Sequence, residues 1–240
     1  MLVIQSLSKA YASGKQVFPV LKNVNVSIHE KDFVMIMGES GSGKSTFLNC
    51  ISTLDRPTSG QVLFKNEDIT KATNQRIQRF RNHDVSFVFQ ENIMIDTLTM
   101  IENVMMASLE HSIDVRTRAH ELMVSMRVDH VSDKFPTQVS TGERQRCAIA
   151  RALMNKPAIL FADEPTAALN PQFAKEVMDI FTSLNAQGQT IVMVTHSLKI
   201  ASYGNRFLLL QDGTFSVDEC LSGTQKEKQA RLLELAKDIL

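Results

Sequence analysis

The sequence has no excess of either charge: 26 lysines and arginines balance 26 aspartates and glutamates, for a formal net charge of 0. A chain whose main partner is DNA or RNA usually shows a basic excess or a basic stripe. Neither is present, and no nucleic-acid partner is expected. Cysteine is scarce. Cys50, Cys147 and Cys220 lie far apart and form no C-x-x-C pair, which argues against a disulfide framework and for a reducing compartment. Long apolar runs are missing as well. The stretches 33–37 and 207–210 hold five and four residues, whereas a membrane helix needs about 20. The start, Met1-Leu2-Val3-Ile4-Gln5, lacks the basic and apolar regions of a signal peptide. A cytosolic chain without a membrane span is the expectation. There is no internal repeat or low-complexity segment. The 240 residues suffice for one large α/β domain with a substantial core.

Strand and turn signals fill the first third. Residues 2–7, 60–64 and 85–89 are β-branched or aromatic stretches bounded by turn residues. Phe33-Val34-Met35-Ile36-Met37 is a continuous apolar run just before glycines, which suits a strand buried on both faces. From 91 to 154 apolar residues recur at helical spacing: Ile101, Val104, Met105 and Leu109, then Leu122, Met123 and Met126. Strands return at 158–162, 190–195 and 207–210, with a helix over 172–185 between the first two. Alternating strand and helix argues for a parallel sheet. Residues 225–240 read as one amphipathic helix, with Leu232, Leu233, Leu235, Ala236 and Ile239 mostly on one side.

Gly38-Glu39-Ser40-Gly41-Ser42-Gly43-Lys44-Ser45 matches the phosphate-loop pattern G-x-x-x-x-G-K-[ST] in full. Glycines let the backbone curl so that successive N–H groups point at phosphate oxygens. Lys44 supplies a compact positive charge for the β- and γ-phosphates, and the Ser45 hydroxyl suits magnesium. Ser45 and Thr46 begin a helix whose N-terminus favours anions. A flexible Gly/Ser loop would explain the glycines, but not the Lys-Ser pair after a buried strand. A second run, Ala158 to Ala162, ends in Asp163 and Glu164. Acids at the carboxyl end of a parallel strand face the ligand crevice. Asp163 there can bind magnesium, directly or through water, and Glu164 can then polarise the attacking water, as a general base or by positioning it. An ordinary acidic turn before Pro165 is the plain alternative, and the complete phosphate loop weighs against it.

With these motifs in place, nearly the whole chain resembles the ATPase subunits of ABC transporters. That resemblance implies a P-loop NTPase core with a mixed sheet, an N-terminal antiparallel β portion and an inserted helical subdomain. One domain is expected over 1–240: residues 1–90 and 156–222 form the nucleotide-binding core, 91–155 the helical subdomain, and 223–240 a C-terminal helix. By resemblance, Tyr11 stacks on adenine, and Gln90 is the glutamine that touches magnesium or water and senses the membrane partner. Val139-Ser140-Thr141-Gly142-Glu143 resembles the signature motif, usually Leu-Ser-Gly-Gly-Gln. Ser140, Gly142 and Glu143 would thus meet the γ-phosphate of the nucleotide held by the opposite subunit. His196 resembles the switch histidine on the γ-phosphate. His29, His83, His111, His120 and His130 show no metal-ligand spacing and read as structural or solvated. Two positions depart from the family pattern. Thr141 replaces the first signature glycine, and Asn170 stands where aspartate usually closes Ala167-Ala168-Leu169-Asn170.

The resemblance implies ATP and Mg2+ as cofactors, a homodimer closed head to tail, and a membrane permease subunit on a separate chain. The subunit would lie in the cytoplasm, peripheral on the inner face of the membrane. Stretches 81–90, 96–104 and 201–206 resemble the group of macrolide exporters, lipoprotein-release systems and bacitracin-type peptide-resistance transporters. Single-domain length and a compact segment before the signature separate the chain from ABC proteins of translation and DNA repair. A small-molecule kinase would not need Gln90, the signature and His196 together. Six of the 12 methionines fall between Met94 and Met126. Met105, Met123 and Met126 are expected in the core. Ile93, Met94, Ile95 and Leu98 are expected as an exposed apolar patch, so the permease contact is placed near Gln90–Met106.

Overall fold

The computed structural model describes residues 1–14, 16–91, 93–109 and 114–237; Asn92, His111 and Ile239 lie outside the described residues. The chain opens with an antiparallel hairpin, β1 (Leu2–Ser13) and β2 (Gln16–Ile28), followed by β3 (Phe33–Met37) and α1 (Lys44–Ile51). Next come β4 (Ser59–Phe64), β5 (Glu67–Asp68), α2 (Asn74–Arg79) and β6 (Val85–Val88). A helical segment holds α3 (Met100–Met105), α4 (Asp114–Ser125) and α5 (Thr141–Ala152). The alternation resumes with β7 (Ile159–Asp163), α6 (Pro171–Ala186), β8 (Thr190–Val194) and α7 (Leu198–Ala201). It ends with β9 (Arg206–Gln211), β10 (Thr214–Cys220) and α8 (Gln225–Leu235).

One sheet, in the order β2-β1-β4-β5, is antiparallel throughout. The other, β10-β9-β3-β8-β7-β6, is parallel except where β10 runs against β9. The expected α/β architecture is therefore observed, with helices inserted between β6 and β7. β3 is buried along its whole length, as its unbroken apolar run requires. Phe33, Met35 and Met37 join one apolar cluster with Met100, Val104, Met123 and Phe181. Val34 and Ile36 join a second cluster with Ile4, Phe47, Leu48 and Phe64. The mixed sheet thus separates two cores. Each large side chain buried in them contributes about 1.5–3 kcal/mol relative to exposure.

The differences from the sequence reading have physical causes. β2 escapes it because its first half is exposed and contains Pro19. Proline removes a ladder donor and is tolerated on edge strands, and β2 is the edge of its sheet. The exposed alternation of β10 is likewise missed. β1 continues to Ser13, past the expected end at 7. α8 stops at Leu235 with Ala236 as its C-cap, shorter than the expected 225–240. Leu232 and Ala236 are buried while Leu233 is exposed, so Leu233 lies off the packed face. Met123 and Met126 are core, and Met105 is half-buried against it. Among the described residues, no helix is long and apolar enough to cross a membrane.

Candidate functional site

The parallel strands β3, β8, β7 and β6 end together, and the loops beyond them carry the chemistry. β3 gives way to Gly38, whose φ is 156° and whose Cβ, if present, would stand 2.2 Å from the Leu210 carbonyl oxygen. Only glycine fits there. The loop runs over exposed Glu39, Ser40 and Gly41 and half-buried Ser42 to Gly43 in the left-handed region, φ 103°. Gly43 leads directly into α1, where Lys44 is buried, Ser45 exposed and Thr46 half-buried. Lys44 Nζ curls back to donate to the carbonyls of Gly38 at 3.0 Å and Glu39 at 2.6 Å. Burial pulls its pKa down, and the charges of Glu164 and Asp163 oppose this. The buried Ser42 Oγ has no hydrogen-bond partner among the described residues.

β7 is paired with β8 through Asp163 and Val194, and the Glu164 amide extends the ladder to the Val194 carbonyl at 3.1 Å. Thr195 continues β8 by donating to Ile36 at 3.1 Å. Asp163, Glu164 and His196 therefore share one rim with the phosphate loop. His196 Nε2 stands 3.4 Å from Glu164 Oε1, and that buried oxygen has no hydrogen-bond partner among the described residues. Burial and the neighbouring Asp163 push the Glu164 carboxyl up to about 7. Burial and the Lys44 charge hold His196 below its ordinary value. β6 ends at Val88, opposite Ala162, so exposed Gln90 emerges beside the same rim. A cleft of about 600 Å³ opens here between Gln90, Glu164, Thr166, Leu169, His196 and Ile200.

Tyr11, on β1 of the other sheet, lines none of the rim cleft; it is exposed and donates its hydroxyl to Asp55 Oδ2 at 2.8 Å. The signature residues sit elsewhere, at the start of α5, and line none of the rim cleft. Ser140 is the N-cap. Its hydroxyl accepts from the Glu143 amide at 3.3 Å, while Glu143 Oε2 accepts from the Ser140 amide at 2.8 Å. This reciprocal capping box fixes the first turn. Gly142 packs on α6, where a Cβ would meet Phe173 Cγ at 3.1 Å. Thr141 is exposed at the first helical position. Asn170 caps α6 by accepting from the Phe173 amide at 2.9 Å, work that aspartate does equally well.

Three residues of interest carry no sequence signal. His130 Nε2 lies 2.9 Å from Glu143 Oε1, and Lys9 and Asp55 surround Tyr11. Nothing local in the sequence marks them; only folding brings them together.

A family model described as ABC transporter matches residues 21–167. The chain belongs to the ABC transporter family. This ABC ATPase binds and hydrolyses ATP. It is 40% identical over 222 residues to the lipoprotein-releasing system ATP-binding protein LolD of Geobacter metallireducens, covering 91% of this chain and 99% of that one. It is 41% identical over 219 residues to the macrolide export ATP-binding/permease protein MacB of Campylobacter jejuni, covering 90% of this chain but 33% of MacB. Among solved structures, the ATP-binding cassette MJ0796 of Methanocaldococcus jannaschii, a dimer bound to ADP and Pi, superposes with a TM-score of 0.85. The two are 38% identical, and the match covers 93% of this chain and 100% of that one.

Proposed function

We propose that this ABC ATPase closes head to tail with a second copy around two ATP molecules and drives a separate membrane permease. Its work would be the export or mechanical release of antimicrobial peptides, macrolides or lipoproteins. The subunit would sit in the cytoplasm, peripheral on the inner face of the membrane. The observation that carries the dimer is the division of the site. The phosphate loop, Asp163, Glu164 and His196 share one rim, whereas Ser140, Gly142 and Glu143, at the capped start of α5, line none of its cleft. A second copy brings Ser140, Gly142 and Glu143 to the γ-phosphate. The dimeric state of MJ0796 supports the same reading.

In this reading the loop from Gly38 to Gly43 cradles the phosphates, and Tyr11 stacks on adenine. Lys44 leaves its loop carbonyls for the β- and γ-phosphates, and Thr46 adds to the helix N-terminus. Glu164 holds the attacking water, a partner for its buried Oε1, which has no hydrogen bond among the described residues. His196 contacts the γ-phosphate. Ser45, Gln90 and Asp163 offer a hydroxyl, an amide oxygen and one carboxylate. Such hard oxygen donors, few in number, suit Mg2+, which keeps waters and phosphates as its other ligands. When bound, Mg2+ neutralises charge developing on the phosphates.

The permease contact falls near Gln90–Met106. There Phe89, Ile93, Ile95 and Met106 are exposed. Asn103 pins this loop, accepting from the Ile95 amide at 2.7 Å and donating to the Leu98 carbonyl at 3.1 Å. Met94 packs on the core and Leu98 is half-buried, so neither belongs to the exposed patch expected of them.

The test is Glu164→Gln. Turnover is expected to fall by about 10²–10⁴-fold, with ATP still bound and the ATP dimer persisting in size measurements. Lys44→Ala is expected to abolish turnover by removing the charge at the phosphates. Normal hydrolysis in Glu164→Gln would remove its assigned role. Purification from detergent-solubilised membranes identifies the permease, and hence the substrate class.

A further inference from the structure

Where the far end of α1 meets β1, a strand and a loop converge on one carboxylate. Lys9 and Tyr11 are two residues apart on β1 and share a face. The register of β1 against β2 shifts on both sides of Lys9, and such irregularities re-aim side chains. Lys9 Nζ donates to Asp55 Oδ1 at 2.7 Å and to the Arg56 carbonyl at 2.8 Å. The Tyr11 hydroxyl donates to the other carboxylate oxygen, Oδ2, at 2.8 Å. Asp55 is itself anchored, its amide donating to the Asn49 carbonyl of α1 at 3.0 Å. The helix that starts at the phosphate loop therefore ends by fixing Asp55. Burial opposes the charges, yet Lys9 and the Tyr11 hydroxyl hold the Asp55 carboxyl below its ordinary range. Asp55 in turn raises Lys9 despite its burial.

The Lys9 ammonium also lies over the Tyr11 ring, 4.7 Å from its centroid. Tyr11 stacks on no other ring among the described residues and is 42% exposed. One face carries a cation, and the residue remains open to solvent. From this geometry we infer that Lys9 and Asp55 are positioning residues for the nucleotide base: they lock the Tyr11 ring so that a purine stacks on the face opposite the Lys9 ammonium. The inference rests on the reading of Tyr11 as the base-stacking residue. A locked ring loses little freedom when the base arrives, which is the advantage of preorganisation. The ammonium also draws on the negative π face of the phenol, reducing its repulsion of a purine face on the other side. Purines stack over more area than pyrimidines, so the pair should sharpen the preference for ATP over CTP.

The experiment uses ATP, CTP and inorganic tripolyphosphate, the last having phosphates but no base. The chain has no tryptophan and 2 tyrosines, so in a Tyr203→Phe background the emission reports Tyr11 alone. ATP should quench it. In Asp55→Asn the quench should shrink, ATP affinity should fall about tenfold, and the ATP preference over CTP should narrow. Tripolyphosphate affinity should stay within about twofold. Lys9→Met should behave like Asp55→Asn, and Lys9→Arg, which keeps a cation, should restore most of the effect. Equal loss of ATP and tripolyphosphate in both Asp55→Asn and Lys9→Met, or unchanged ATP binding in both, overturns the positioning role. Tyr11→Leu separates the two readings. If it leaves the ratio of ATP to tripolyphosphate affinity unchanged, the stacking role of Tyr11 is wrong and the positioning role falls with it. If it changes that ratio while Asp55→Asn and Lys9→Met do not, only the positioning role falls.

Discussion

At Glu164 backbone and side chain are both held away from their ordinary states. Its φ of 47° lies in the left-handed region, which costs a residue with a Cβ about 1–2 kcal/mol. The ladder bond to Val194 and the Ala167 amide on its carbonyl keep it there. Glu143 is the opposite case, a carboxylate stabilised in its charged form. Burial alone would raise its pKa, but two Ser140 donors and His130 take it from 4.5 to about 2. A carboxyl depressed on folding adds stability above its unfolded pKa, and that stability is lost as pH falls through the folded value. The melting temperature of Glu143→Gln is therefore expected to lie below wild type at neutral pH. The gap should close between pH 4.5 and about 2. Thermal melts across that window check it; a gap independent of pH would mean that the charge contributes nothing. The hold of His130 on Glu143 was not legible in the sequence. A histidine at a distance of 13 residues carries no local signal of its partner.

The start of α5 has everything a helix needs before Thr141 is considered. Ser140 caps it, Glu143 closes the box, and Gly142 lies against Phe173 of α6. Thr141 is exposed at the first helical position, so Thr141→Gly mainly adds freedom to the unfolded chain. The expected loss is about 0.5 kcal/mol, a fall in melting temperature of about 1–2 °C. ATPase activity should stay within about twofold. A several-fold gain in the purified complex would show that the threonine side chain crowds the phosphate of the opposite subunit. Elements with unmixed signals were readable from sequence in this way. β3, β7 and β8 are unbroken apolar strands, and α6 shows its apolar stripe. β2 and β10 were not readable, because an exposed edge strand needs no apolar alternation and β2 also contains Pro19. The site separates along the same line. Gly38 to Thr46 and Asp163-Glu164 are contiguous motifs whose chemistry is local. Lys9 and Asp55 meet only because α1 carries Asp55 back toward β1.

For the whole molecule, the proposed permease surface is the first matter of scale. Ile93 is 66% exposed and Ile95 41%, and neither belongs to the apolar clusters. The double substitution Ile93→Asp with Ile95→Asp is expected to abolish pull-down of the membrane partner while nucleotide titration of the isolated subunit stays at wild type. Intact pull-down would put the docking surface elsewhere. The second matter is the pair of cores on opposite faces of the mixed sheet. Met123→Ala, on the helical side, and Ile4→Ala, on the hairpin side, each remove about 2–5 kcal/mol. Amide hydrogen exchange should distinguish them, because local opening follows contiguous cooperative units. Met123→Ala is expected to speed exchange in α4 and α5 and leave β1 and β4 slow; Ile4→Ala should do the reverse. Uniform acceleration in both would mean one cooperative unit. Separate opening of the two faces would let the helical side soften while the hairpin side, and the strand that leads into the phosphate loop, stay closed.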